Sequence, residues 1–157
     1  MVRRDKVFGA VCLALGLLAL GGVTVLVLVR LPSLPEQLPA HYNAAGEVDA
    51  WGGRGILWVP LAVGWMIFLV LSVVLRLPGA WNIGGSAAGE QRDKALVITR
   101  SMLSLLRCAV ALDFAYLTWC TAECRPLGTW FLPVFLGLIF LPLGVNVVRL
   151  MLLSGKR

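Results

Sequence analysis

The chain has 157 residues, 59% of them hydrophobic and 14% charged, with a formal net charge of +6. Soluble domains carry roughly 45–50% apolar and about 25% charged residues, so a water-soluble fold of this size cannot hide so much apolar surface. The basic residues sit at the ends of hydrophobic runs, not in patches interleaved with aromatics, which excludes nucleic acid as a partner and fits contact with a lipid bilayer.

Four apolar runs follow one another, and about 20 residues suffice to cross a bilayer. The first, residues 7–29, is charge-free and follows Arg3, Arg4 and Lys6. A signal peptide is the rival reading, but its apolar region runs roughly 7–15 residues and ends at a small-residue cleavage site, whereas this run is longer and meets Arg30-Leu-Pro. An uncleaved helix is therefore expected. The second span is 56–75, with Pro60 near its start, where a missing N–H costs little. The third, 96–121, carries Arg107 and Asp113. The fourth, 130–148, holds Pro133 and Pro142, which membrane helices tolerate.

Charge sets the expected direction. Arg3, Arg4, Lys6, Arg76, Arg92, Lys94, Arg100, Arg149, Lys156 and Arg157 fall on one side, and only Arg30, Arg54 and Arg125 on the other. The positive-inside rule then places both termini and the 76–95 loop in the cytoplasm of a cell-membrane protein, and the 30–55 loop outside. The glycines of the inner loop do not make a phosphate loop, because no Gly-Lys-Ser/Thr follows and no strand precedes them.

Along the third span Ser101, Ser104, Cys108, Ala111, Ala115, Thr118 and Ala122 recur every three or four residues. In lipid, small side chains mark the face on which helices pack closely, and a period of 3.5 implies a left-handed crossing. Arg107 lies at the edge of this seam, positioned to snorkel toward the cytoplasm. Asp113 lies about 180° from the seam, at 100° per residue. An intramembrane acid is a functional candidate by default. Two readings stay open for it: a proton or ligand path, or a structural hydrogen bond to a neighbouring helix or a second protomer. Asn146, in the inner part of the fourth span, is a candidate partner for Arg107, with structural glue between helices as the alternative reading.

Cys12 and Cys108 read as small apolar fillers. Cys120 and Cys124, near the outer end of the third span, are compatible with a disulfide, since i, i+4 positions of an intact helix lie roughly 6 Å apart. Free thiols are the alternative. Zinc wants four ligands, and only His41 can join these two from outside, so neither a metal nor any other cofactor is expected.

The outer loop reads "LPEQLPAHYNAAGEVDAWGGRG". Its prolines keep the chain extended, Asn43 to Gly46 forms a turn, and Trp51 and Trp58 fit an interfacial aromatic belt. The stretch resembles the pattern Leu-Pro, Pro-x-His-aromatic-Asn, Gly-x-x-Asp-x-Trp-Gly of a bacterial multi-pass membrane-protein family of unknown function. That domain is also found at the N-terminus of SdpI-type toxin-immunity proteins. The resemblance covers the first two spans and their loops and carries over to Pro39, His41, Asn43, Gly46, Asp49, Trp51 and Gly52, with "WNIGG" at 81–85 as a weaker feature. It departs from the pattern at Gly53-Arg54 and at Gly84. It implies a membrane protein whose outer loop holds the shared residues.

The expected architecture is an all-α integral membrane bundle of four helices, one domain over 1–157, with a short outer cap. The expected role is non-enzymatic: envelope sensing, immunity or an accessory function through the loop and helix faces. A membrane-protein or peptide partner, or a homo-oligomer, would supply the other half. The alternative is a transporter or channel component using Asp113 and Arg107. A metal-assisted enzyme built on His41, Glu47 and Asp49 lacks a second histidine and a nucleophile–base pair. Within the loop, His41, Asn43 and Asp49 form either an internal clamp or a recognition surface.

Overall fold

The computed structural model of the chain describes residues 2–81 and 89–154. Most of the WNIGG feature, Lys156 and Arg157 lie outside them, as do the side chains of Arg3 and Arg4. Four long helices are present, all apolar enough to cross a membrane: α1 Val2–Arg30, α2 Trp58–Arg76, α3 Glu90–Ala122 and α4 Phe131–Ser154. Between α1 and α2 two strands, β1 Gln37–Tyr42 and β2 Val48–Gly53, pair as an antiparallel hairpin. The expected bundle is present, but the cap is a folded hairpin and not a run of turns. The third helix also starts earlier than the apolar run: its first turn holds Glu90 and Asp93, which suit the positive end of a helix dipole.

The elements end where their sequence forces them to. Arg30 closes α1, and Leu31–Ser33, with Pro32, tightens into a single 3-10 turn. Pro60 sits in the first turn of α2, where its missing N–H leaves no bond unmade. At the end of α3 the Arg125 N–H donates to the Cys120 carbonyl at 2.9 Å, and Cys124 takes φ +52°. This is a Schellman closure with cysteine where glycine is usual.

Helix α3 is the hub: it packs against each of the other helices, while α1 and α2 touch each other far less. Its small seam meets α1, and the two helices run parallel in step. Gly9 lies beside Ser104, Gly16 beside Ala111, and Val27 beside Ala122. Cys12, Gly16, Leu20, Val23 and Val27 form the buried stripe of α1 that answers the seam. A Cβ on Gly16 would stand 2.6 Å from Phe68 Cε2 and 3.2 Å from Ala111 Cβ, so glycine is what allows this approach. Helix α2 runs antiparallel, with Gly64 against Phe114, Phe68 against Ala111 and Ser72 bonded to Arg107. Lipid is as apolar as leucine, so such close contacts and polar bridges, not water exclusion, hold the helices together. One bridge is a relay from Trp65 Nε1 to Thr24 Oγ1 (3.0 Å) and on to the Leu20 carbonyl (2.6 Å).

Helix α4 leans on α3 through rings: Tyr116 stacks on Phe131, and Trp130 lies beside both. Farther along, Phe140, Leu141, Met151 and Leu152 are mostly exposed, the surface that a bilayer would cover.

Candidate functional site

The hairpin is pinned to the bundle from below. Leu34 and Leu38 sink into a fully packed cluster with Val27, Leu57 and Ala122. The ladder is irregular. Pro39 faces Trp51, but His41 faces Ala50 and Tyr42 faces Val48, which leaves Ala40 on β1 and Asp49 on β2 as extra residues. Proline cannot donate to the ladder, so a break next to Pro39 costs little. Bulges redirect side chains. Here they bring His41 and Asp49 together although the two are not register partners, with His41 Nδ1 2.6 Å from Asp49 Oδ1. Both are exposed, at 68% and 42% of the side chain.

Asn43 builds the turn. Its Oδ1 accepts from the N–H groups of Ala45 (2.9 Å) and Glu47 (3.0 Å), and its Nδ2 donates to Glu47 Oε2 at 3.1 Å. This side-chain mimic of a backbone turn is the reason asparagine suits the position. Glu47 is thereby bonded to Asn43, while His41 pairs with Asp49. Gly46 follows at φ +76°, and its carbonyl accepts from the Leu127 N–H at 2.7 Å, which ties the turn to the α3–α4 connector. Two further ties flank it: Arg30 pairs with Glu123 at 3.0 Å, and the Tyr42 hydroxyl lies 3.4 Å from Thr121 Oγ1. Burial pushes the Tyr42 phenol above its ordinary range, so it stays a neutral hydroxyl. Trp51 is half exposed on the hairpin, at the same end of the bundle as Trp58 and Trp130.

Under the hairpin a half-open cleft of about 360 Å³ runs between α2, α3 and α4. Its floor is apolar, with Val59, Val63, Phe114, Leu117 and Phe131, and its rim carries His41, Tyr42, Asn43 and Thr121. A concave apolar wall with a few polar groups at its mouth is the usual form of a small-ligand site. The sequence reading found His41 and Asn43 but missed Tyr42, Thr121 and the α4 wall. The aromatic between His41 and Asn43 was the available signal for Tyr42. Nothing local marks Thr121 as its partner 79 residues away.

The intramembrane polar residues do not form one site. Arg107 does not snorkel; it is buried, donates from Nη1 to Ser72 Oγ (3.2 Å) and from Nη2 to the Gly9 carbonyl (3.4 Å), and lies over the Phe68 ring. Asn146 is not its partner. Asn146 Nδ2 donates instead to the Pro142 carbonyl at 2.6 Å, one turn back on its own helix, as short polar side chains in helices do. Asp113 is buried with Oδ2 unpartnered among the described residues. Six residues along one helix set it about 9 Å in rise from Arg107, and no ion pair joins them. Cys120 and Cys124 are free thiols. The i, i+4 spacing brings the two thiols within reach only on an intact helix, and the Schellman closure takes Cys124 off the helical path.

Residues 10–64 match the model of a family described as a domain of unknown function (DUF1648). No curated protein and no solved structure matches the chain. The matched stretch takes most of α1, the whole hairpin and the start of α2, so His41, Asn43, Gly46, Asp49 and Trp51 lie inside it. The walls that α3 and α4 give to the cleft lie beyond it.

Proposed function

Because the matched family carries no assigned function, we propose from the site's geometry that this multi-pass membrane protein is a non-enzymatic receptor. It holds the apolar part of an amphiphilic ligand in the cleft beneath its hairpin, in an envelope-sensing, immunity or accessory role. The cleft itself carries the reading: an apolar floor opens beneath a folded hairpin whose rim residues are polar. Ten basic side chains against three support placing that mouth outside the cell membrane, at the level of Trp51, Trp58 and Trp130. An amphiphile reaching it there keeps its polar end among His41, Tyr42 and Asn43 and its apolar end among the helices. The competing reading, a transporter component using Asp113, draws on one observation, the unpartnered buried carboxyl.

Native mass spectrometry of protein extracted gently from its own membranes tests the proposal. A ligand of defined mass should travel with the wild type and be lost in Leu117→Trp, which fills the cleft. It should be retained in Leu112→Trp, on an exposed face of the same helix. Identical adducts on all three proteins would reject the proposal.

A further inference from the structure

At the end of the bundle opposite the hairpin, a second and more open hollow of about 430 Å³ lies between α1, α2 and α3. Lys6, Arg76, Arg100 and Arg107 line it, with Asp5 as its one acid. Among the described residues the ion pairs are Arg30–Glu123, His41–Asp49 and Lys94–Glu90, so none of these four cations has a carboxylate. Lys6, Arg76 and Arg100 are exposed, so water solvates them and salt screens them. Arg107 is largely cut off from both, since it is only 6% exposed and lies roughly 10 Å deeper than Arg100 along α3.

A guanidinium keeps its charge in any protein environment and presents five donors. Arg107 satisfies part of them with a hydroxyl and a backbone carbonyl, both neutral, and its Nε is buried with no partner. An isolated buried cation is costly unless it is paired. The Phe68 ring, 5.4 Å from Cζ, offers the face of a quadrupole but no counter-charge. The missing element is an anion, and the hollow beside Arg107, edged by three more cations, is where one can enter.

We propose that this hollow binds an anionic phosphate group, with Arg107 as its deep contact and Lys6, Arg76 and Arg100 as its rim. Phosphate matches the guanidinium fork geometrically, which a halide does not. A lipid-headgroup phosphodiester and free inorganic phosphate share this chemistry, and four cations against the single carboxylate of Asp5 leave the hollow net positive for either. The site is independent of the cleft under the hairpin, and neither stands or falls with the other.

The test is thermal unfolding of delipidated protein in a neutral detergent, titrated with phosphatidylglycerol, phosphatidylcholine, or inorganic phosphate against chloride at equal ionic strength. A saturable rise in Tm with phosphatidylglycerol alone assigns the site to a lipid headgroup. A rise with inorganic phosphate assigns it to a free anion. In Arg107→Gln the half-saturating concentration should increase about 10- to 100-fold, the loss expected for a hydrogen bond to a charged group. Arg54→Gln, an equal loss of charge at the hairpin end, should leave it unchanged. Should Arg107→Gln not fold, the exposed pair Arg76→Gln/Arg100→Gln should still increase it about tenfold. No saturable rise with either probe, a response to phosphatidylcholine as strong as to phosphatidylglycerol, or equal half-saturation in wild type and the foldable variants at Arg76, Arg100 or Arg107 would overturn the proposal.

Discussion

Gly46 and Gly128 meet backbone to backbone: a Cβ placed on Gly46 would stand 2.5 Å from the Gly128 carbonyl oxygen. Both glycines have positive φ, at +76° and +84°, so the turn of the hairpin and the α3–α4 connector are shaped to nest. The contact joins the family-matched part of the chain to the part beyond it, and Gly46 and Leu127 both line the cleft. Gly46→Ala therefore adds left-handed strain to a backbone collision. A loss of about 1–3 kcal/mol is expected, read as thermal unfolding in detergent. Gly53→Ala, with open space around it and φ −67°, should be silent. Equal stability of the two variants would mean that the hairpin is not held down at its tip.

Asn43 and His41 should separate in their effects. Asn43→Ala hands two backbone N–H groups from the side chain to water and frees the turn, for an expected loss of about 1 kcal/mol. The His41–Asp49 pair is short but largely in solvent, and exposed pairs contribute about 1 kcal/mol or less. His41→Ala should thus barely move the unfolding temperature while removing any recognition at the rim. A large drop in His41→Ala, matching that of Asn43→Ala, would make the pair a structural clamp instead.

The four spans were legible because charge-free runs of about 20 residues have few other uses. The seam on α3 was legible for a related reason: small residues at helical spacing tell which face packs, though not against what. Its counterpart on α1 was masked because apolar residues stand on every side of Gly16, so no polar face marks the packed one. The hairpin was hidden by its own composition. "QLPAHY" holds a proline and "VDAWGG" two glycines, all poor strand formers, and the strands form because the turn at Asn43 and the anchors Leu34 and Leu38 impose pairing. Arg107 looked like an inner-edge residue since its position in a run says nothing of Ser72 and Gly9, which reach it from other helices.

The seam gives a third expectation. Ala111 has no exposed surface and touches the Leu20–Phe68 cluster, with Gly16 of α1 alongside. Ala111→Leu overfills that space and should cost about 1–3 kcal/mol. Leu105→Phe, on a partly exposed face, should cost less. If detergent melting shows the two to be equally harmless, the seam faces lipid.

Orientation follows from charge asymmetry and can be read directly. A cytoplasmic reporter fused after Arg157 should be active and a periplasmic one silent, with the reverse for reporters inserted at Gly46. Activity of the periplasmic reporter at Arg157 would invert the bundle and place the hairpin cleft inside the cell.

Asp113 offers the sharpest contrast between an internal and an external role. Its carboxyl is buried, and Oδ2 finds no partner within the described residues. If nothing outside the chain supplies one, the group weakens the bundle, because an unsatisfied polar atom in an apolar setting is unfavourable. Asp113→Leu, of similar size, should then unfold at the same or a higher temperature in dilute detergent. Asp113→Asn should change little, since an amide leaves polar atoms equally unmet. Suppose instead that Asp113→Leu melts earlier, by a margin that grows with protein concentration in the wild type. The partner would then belong to a second copy of the chain, and the carboxyl would be part of an oligomer contact. A third pattern, in which both variants fold normally while Asp113→Asn loses an ion flux measured in reconstituted vesicles, would shift the assignment from receptor to transporter.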